Sequence, residues 1–173
     1  MISVGIDPGK SCGLAKIAML DRPMVLESLT LKLVDSPAGI IEALTSLQPF
    51  DVLCLEDIRF YKGYQGSSGY TGQGGASAGF VPVKKLRGCL EIVGAVKCYA
   101  SLRSYVLQIM GRPEVLTEVF GSGSLGKSDT KKLLGMLLSN PAELKNQHER
   151  DAASAALCGA ARYRRDLCLA KAR

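Results

Sequence analysis

The sequence predicts an α/β protein with one central, mixed, five-stranded sheet flanked by helices. Three observations predict it: three strand-like apolar runs follow one another before residue 34, a helix and a buried strand come next, and helix and strand then alternate towards a long terminal helix. The chain has 173 residues, 47% of them apolar, enough for a core without disulfide staples. One domain spanning residues 1–173 is the expectation.

Residues 3–7 are a short apolar strand, and Pro8-Gly9 turns the chain into a second run, 13–20, as a hairpin would. Residues 24–33 alternate apolar and polar side chains in their second half, the pattern of a half-exposed strand. Ser36-Pro37 is a helix start, a cap followed by proline at the first helical position, and the helix runs to about Leu47. Residues 51–55 form a buried strand that carries Glu56 out of its end. Residues 61–80 are dominated by Gly, Ser, Tyr and Gln and read as a long mobile loop. A helix over 82–101 carries an apolar stripe of Leu86, Cys89, Leu90, Val93, Val96 and the Lys97 stem, with Gly88 and Gly94 permitting close approach to the sheet or to a second subunit. Residues 105–110 are strand-like, 113–119 and 128–138 are short helices, and 147–169 is the terminal helix.

The formal charge is +6, from 22 Lys and Arg against 16 Asp and Glu, which favours a polyanionic partner. Six cysteines are scattered through mostly apolar stretches without a C-x-x-C pair, and no leader-like segment opens the sequence, so buried thiols in a reducing compartment are expected. A cytoplasmic location follows, with an organelle matrix or an infected host cell as equivalents in redox terms. No apolar run approaches the roughly 20 residues of a membrane span.

Four positions make chemical sense together: Asp7 in VGIDPGKSCGLA, Glu56 in DVLCLEDIRF, and His148 and Asp151 in NQHERDAASAAL. If the first strand lies beside the fourth, Asp7 and Glu56 point into one crevice, and carboxylates that close call for a cation. His148 and Asp151 are three apart and share a helix face. Asn146 and Glu149 look like cap and capping-box partner, and Ala152, Ala155, Ala156 and Gly159 let the helix lie close on the sheet, bringing Asp151 to the strand ends. Each position has a plainer reading: Asp7 as a turn former, Glu56 as an exposed strand end, His148 as a solvated helix start, Asp151 as a carboxylate favoured by the helix dipole. The set as a whole, on a basic chain, points to a divalent-metal site.

The strings GIDPGKSCGLA, CLEDIRF, KKLRGCLE, RPEVLTEVFGSGSLGKSD and HERDAASAAL occur in the order and at roughly the spacings of a known family. Over nearly its whole length the chain resembles the RuvC-like Holliday junction resolvases, which have the RNase H-like fold. The resemblance implies a homodimeric endonuclease that nicks four-way or related branched DNA symmetrically with two Mg²⁺ ions, Mn²⁺ being an expected substitute. Asp7 and Glu56 match the family's first two acids and Asp151 the last. His148 falls where many members carry aspartate and some histidine; imidazole supplies no charge, so a second ion would be held more weakly. The long loop over 61–80 is a further departure, and it bears on junction selectivity.

The mechanism also stands on the residues. Two divalent ions about 3.5 to 4 Å apart activate a water for in-line attack on a phosphodiester and stabilise the leaving oxygen. Lys84, Lys85 and Arg87 on one helix, Lys127, Lys131 and Lys132 around another, and Arg162, Arg164 and Arg165 on the last are candidates to cradle phosphates. Phe60 and Tyr61, just beyond Glu56, are candidates to stack on bases at the crossover.

Three rival readings remain. GSGSLGKS over 121–128 satisfies the phosphate-loop pattern G-x-x-x-x-G-K-[ST], although only a helical tail follows where such a domain needs its core strands. GIDPGKSCG is similar to the phosphate loop of sugar kinases and actin-like ATPases, which need two such domains. A non-catalytic branched-DNA-binding module on the same fold is the third.

Overall fold

The opening meander consists of β1 (Ile2–Asp7), β2 (Ser11–Ala18) and β3 (Met24–Lys32). β1 and β2 pair antiparallel from Ile2 opposite Ala18 to Asp7 opposite Gly13, so Pro8-Gly9 starts the turn as the sequence predicts. The computed structural model describes residues 1–9, 11–32, 37–57 and 83–172, with the backbone alone for 83–86. Ser36, Phe60, Tyr61 and the segment 61–80 lie outside the described residues.

After the meander the chain crosses through α1 (Ala38–Ser46) into β4 (Val52–Asp57), which pairs parallel with β1, Ile6 opposite Leu55. Helix α2 (Val83–Leu102) leads to β5 (Val106–Gly111), parallel to β4. The order β3-β2-β1-β4-β5 makes one mixed five-stranded sheet. α3 (Arg112–Phe120), α4 (Lys127–Leu137), a 3₁₀ turn (Pro141–Glu143) that the sequence reading missed, and α5 (Gln147–Lys171) complete the chain.

Alternation along the central strands divides the core between the two faces. Val4, Ile6, Leu14, Leu53 and Leu55 pack with Ile40 and Leu44 of α1 and with Ile92, Val93 and Val96 of α2. On the other face Ala15 and Ile17 meet Ala152 and Ala156 of α5 and Leu134 of α4, while Cys54 and Met110 meet Ala155 and Cys158. β4 is therefore buried on both sides, which explains its unbroken apolar run, Val52 to Leu55.

The α2 stripe differs from expectation. Ile92, Val93, Val96, Tyr99 and Ala100 are buried, whereas Leu90 is 48% exposed and Lys97 is exposed. Among the described residues, a Cβ on Gly88 or Gly94 would meet nothing within 4 Å, so none of those residues makes the close approach expected at these glycines. The thiols also divide: Cys12, Cys54 and Cys158 are buried, Cys89 is partly buried, and Cys98 and Cys168 are exposed. The expectation of uniformly buried cysteines fails because Cys98 and Cys168 lie on the solvent faces of α2 and α5. Among the described residues, no helix is long and apolar enough to cross a membrane.

Candidate active site at the carboxyl ends of the central strands

Asp7 is the last residue of β1 and Glu56 the last but one of β4. Because the strands are parallel with Ile6 opposite Leu55, the two acids stand side by side at the same sheet edge. Their face follows from period two: Gly5 lies under α5, Cys54 packs beneath Gly159 of α5, and Asp7 and Glu56 come two residues later on the same side.

Helix α5 descends over that face with its N-terminus at the strand ends. Two glycines set its height: a Cβ on Gly5 would collide with the carbonyl of Ala152, and one on Gly13 with the carbonyl of His148. Ser3 Oγ donates to the Ala156 carbonyl at 2.8 Å, a buried tie between β1 and α5. The start of α5 is anchored by Asn146, whose Oδ1 accepts from the Glu149 N–H at 3.1 Å, as the capping pattern predicts. Glu149, 4% exposed, does not return the expected capping-box bond to the Asn146 N–H among the described residues, because its carboxylate is taken up by other donors. Its Oε1 accepts from Thr30 Oγ1 at 3.0 Å and Asn146 Nδ2 at 2.8 Å, and its Oε2 from Ser28 Oγ at 3.1 Å and the Lys145 N–H at 2.8 Å. These bonds pin the helix start to β3.

So held, His148 places Nδ1 2.9 Å from Asp7 Oδ2. Asp151 is nearly buried, and its Oδ1 accepts from Gln147 Nε2 at 2.8 Å and from Arg112 Nη1 at 2.7 Å. Arg112 is the functional candidate the sequence reading missed; the available signal was a charged residue directly after the fifth strand, at the edge where Asp7 and Glu56 emerge. Glu56 makes no hydrogen bond or ion pair among the described residues.

The electrostatics record the crowding. Burial, then the charge of Asp7, pushes the Glu56 carboxyl up to about 8, with Arg112 opposing and Asp151 adding to the rise. Burial raises Asp7 as well, against the hydrogen bond from His148. Desolvation works against the Arg112 charge, yet the bond to Asp151 and the negative charges of Asp151, Glu56 and Asp7 hold its guanidinium above the usual value.

A hard divalent cation fits this donor set: partly buried and buried carboxylates, that of Glu56 without a hydrogen bond or ion pair among the described residues, and an imidazole within reach. Among the described residues, no three His, Cys, Asp or Glu side chains close on one point, since His148 is turned to Asp7 and Asp151 to Arg112.

Of the predicted phosphate contacts, Lys127, Lys131 and Lys132 are exposed on α4. Arg87 is exposed and paired with Glu91 at 2.8 Å. Lys84 and Lys85 lie in the first turn of α2. Arg162 and Arg165 face Glu118 at 3.5 and 3.0 Å, and Arg164 donates to the Met19 carbonyl at 3.0 Å, so these three are engaged within the protein. The GSGSLGKS segment joins helix α3 to helix α4, with Gly121 as the left-handed C-cap of α3 at φ 77°. A phosphate loop needs a strand before it, and VLTEVF is helical here.

Sheet order, crossovers and the acidic crevice define the class: the chain has an RNase H-like fold. No family model and no curated protein matches the sequence. Among solved structures it is similar to RuvC of Thermus thermophilus, with TM-score 0.69 and 19% identity over 96% of this chain and 97% of that one. The same protein in complex with a Holliday junction substrate gives TM-score 0.69 and 20% identity over 92% and 93%. The fowlpox virus Holliday junction resolvase gives 0.56 and 11% over 96% and 99%. The RuvC-like fold expected from the sequence is the fold of this chain.

Proposed function

We propose that this protein is a divalent-metal-dependent endonuclease that resolves Holliday junctions or related branched DNA by symmetric nicking. The observation that carries the reading is the meeting of Asp7, Glu56, His148 and Asp151 at one sheet edge, on the fold of a protein solved with a Holliday junction. Asp7, Glu56 and Asp151 would hold Mg²⁺ or Mn²⁺ through oxygen, with His148 as the weaker ligand. When bound, such ions activate water and stabilise the leaving oxygen in phosphodiester hydrolysis. The chain's own part is positional: Gly5 and Gly13 seat α5, Glu149 fixes its start, and Gln147 orients Asp151. Exposed Lys127, Lys131 and Lys132 give one helix a basic face for phosphates, which confers affinity and little base information.

Two nicks placed symmetrically require two active sites, so a homodimer belongs to the proposal. The solvent face of α2, with Leu90 exposed and Gly88 and Gly94 uncovered among the described residues, is the proposed interface. Leu90→Glu should shift sedimentation towards monomer; an unchanged dimer would move the interface elsewhere.

Strand-cleavage mapping on a synthetic four-way junction beside linear duplex of the same sequence, in Mg²⁺, tests the activity. Paired nicks confined to the junction support resolution, and cutting of forks or flaps keeps the nuclease with another substrate. Asp7→Asn should abolish cleavage and leave junction binding intact or tighter. Failure to cut any DNA would overturn the proposal.

A further inference from the structure

Arg112 stands in an unexpected place for a cation. It is the first residue of α3, where the helix dipole presents its positive end and disfavours a positive side chain. Its guanidinium nevertheless bonds Asp151 at 2.7 Å, with side-chain exposures of 33% and 10%. The compensating force is the carboxylate cluster, since Glu56 and Asp7 act on the same charge. Arg112 thus neutralises part of a crevice whose three acids would otherwise repel one another.

The same contact opposes a metal. It engages a carboxylate oxygen of Asp151, which would help to hold a cation, and it sets a positive charge beside that carboxylate. An arginine committed only to structure would have its donors enclosed, whereas this side chain is one-third exposed and can swing outward with its charge intact. We infer that Arg112 is an exchangeable counter-ion, which holds Asp151 in the metal-free protein and is displaced from it when a divalent cation binds. The inference rests on the metal-site reading above and adds a residue to it. Two states follow, one with Arg112 on Asp151 and one with the cation there.

Mg²⁺ titration without DNA tests this, by calorimetry on the wild type, Arg112→Gln and Arg112→Lys, and by the Arg112 Nε–H nuclear magnetic resonance signal of the wild type. Arg112→Gln should bind Mg²⁺ about ten-fold or more tightly, because the repulsive charge and the competitor for Asp151 are both gone. Arg112→Lys should fall between, and the Nε–H signal should move as Mg²⁺ saturates. An Nε–H signal unmoved at saturation, or equal Mg²⁺ affinity in the folded Gln variant, overturns the inference and leaves the nuclease reading intact. A wild type that binds neither Mg²⁺ nor Mn²⁺ overturns both. The resonance measurement needs no variant, so a misfolded substitution does not block the test.

Discussion

The carbonyl of His148 rests directly on the backbone of Gly13, with no room between them for a side chain. This contact joins β2 to the first turn of α5 and determines how far His148 and Asp151 stand above Asp7. Gly13→Ala forces the helix start upward, because its neighbour is backbone and cannot rotate away. The expected result is a folded protein destabilised by about 1–3 kcal/mol, the usual cost of overpacking, with cleavage reduced at least about 100-fold, as a misplacement near 1 Å can produce. Thermal unfolding and junction cleavage measured together check it. Full activity in Gly13→Ala would show that the height of α5 is not what assembles the site.

Glu149→Gln is isosteric, yet it should be damaging. Each Glu149 oxygen receives one N–H, from Lys145 or from Asn146 Nδ2, and an amide must turn its NH₂ towards one of these donors, whereas the Ser28 hydroxyl, which also reaches the Glu143 carbonyl at 2.8 Å, and the Thr30 hydroxyl can rotate. A buried donor facing a donor costs about 1–3 kcal/mol, or about 2–12 °C in melting temperature at about 2–4 °C per kcal/mol for a chain of this size. Differential scanning calorimetry measures it; an unchanged melting temperature would mean that the network is dispensable.

What the residues disclosed in advance follows from where the information is local. Strand period, the Pro8-Gly9 turn and the Asn146 cap are short-range signals, and β1 and α5 start within a residue of where those signals put them, while β2 runs Ser11–Ala18, two residues earlier than the expected 13–20. Asp7 and Glu56 were paired correctly because parallel strands present their carboxyl ends at one edge. The α2 face was rotated because Leu86, Cys89, Leu90, Ile92, Val93, Ala95 and Val96 spread apolar groups over more than half the helix, and only the sheet decides which are covered. A charged residue after the fifth strand was legible, but the bond of Arg112 to Asp151 was not, because it joins the end of β5 to α5, two elements remote in sequence whose contact depends on the finished sheet.

Glu56 gives the metal-free protein a defined pH dependence. Its carboxyl is raised to about 8 from 4.5, so between these values the folded state holds a proton that the unfolded state releases. The stability linked to this group is fully present below the unfolded value and is lost as pH rises towards 8. In chelator, Glu56→Gln should therefore melt close to wild type at pH 5 and several degrees above it at pH 8. Metal binding must expel the same proton, so Mg²⁺ affinity should climb by up to about ten-fold per pH unit to near pH 8 and then level off. Affinity flat from pH 6 to 8 would place Glu56 outside the ion's reach.

His148 separates two roles that the geometry leaves joined, orienting Asp7 and ligating an ion. Its Nδ1 is 2.9 Å from Asp7 Oδ2, and its side chain is 45% exposed towards the crevice mouth. His148→Asp removes the hydrogen bond and sets a fourth carboxylate against Asp7. Without metal that should lower the melting temperature at neutral pH, since like charges are brought together. With Mg²⁺ the added charge and the harder oxygen donor should tighten binding by about ten-fold, and cleavage should persist. A variant that folds, binds Mg²⁺ and cuts nothing would assign the imidazole a task no carboxylate performs at that position, proton transfer being the first to test through the pH profile of single-turnover cleavage.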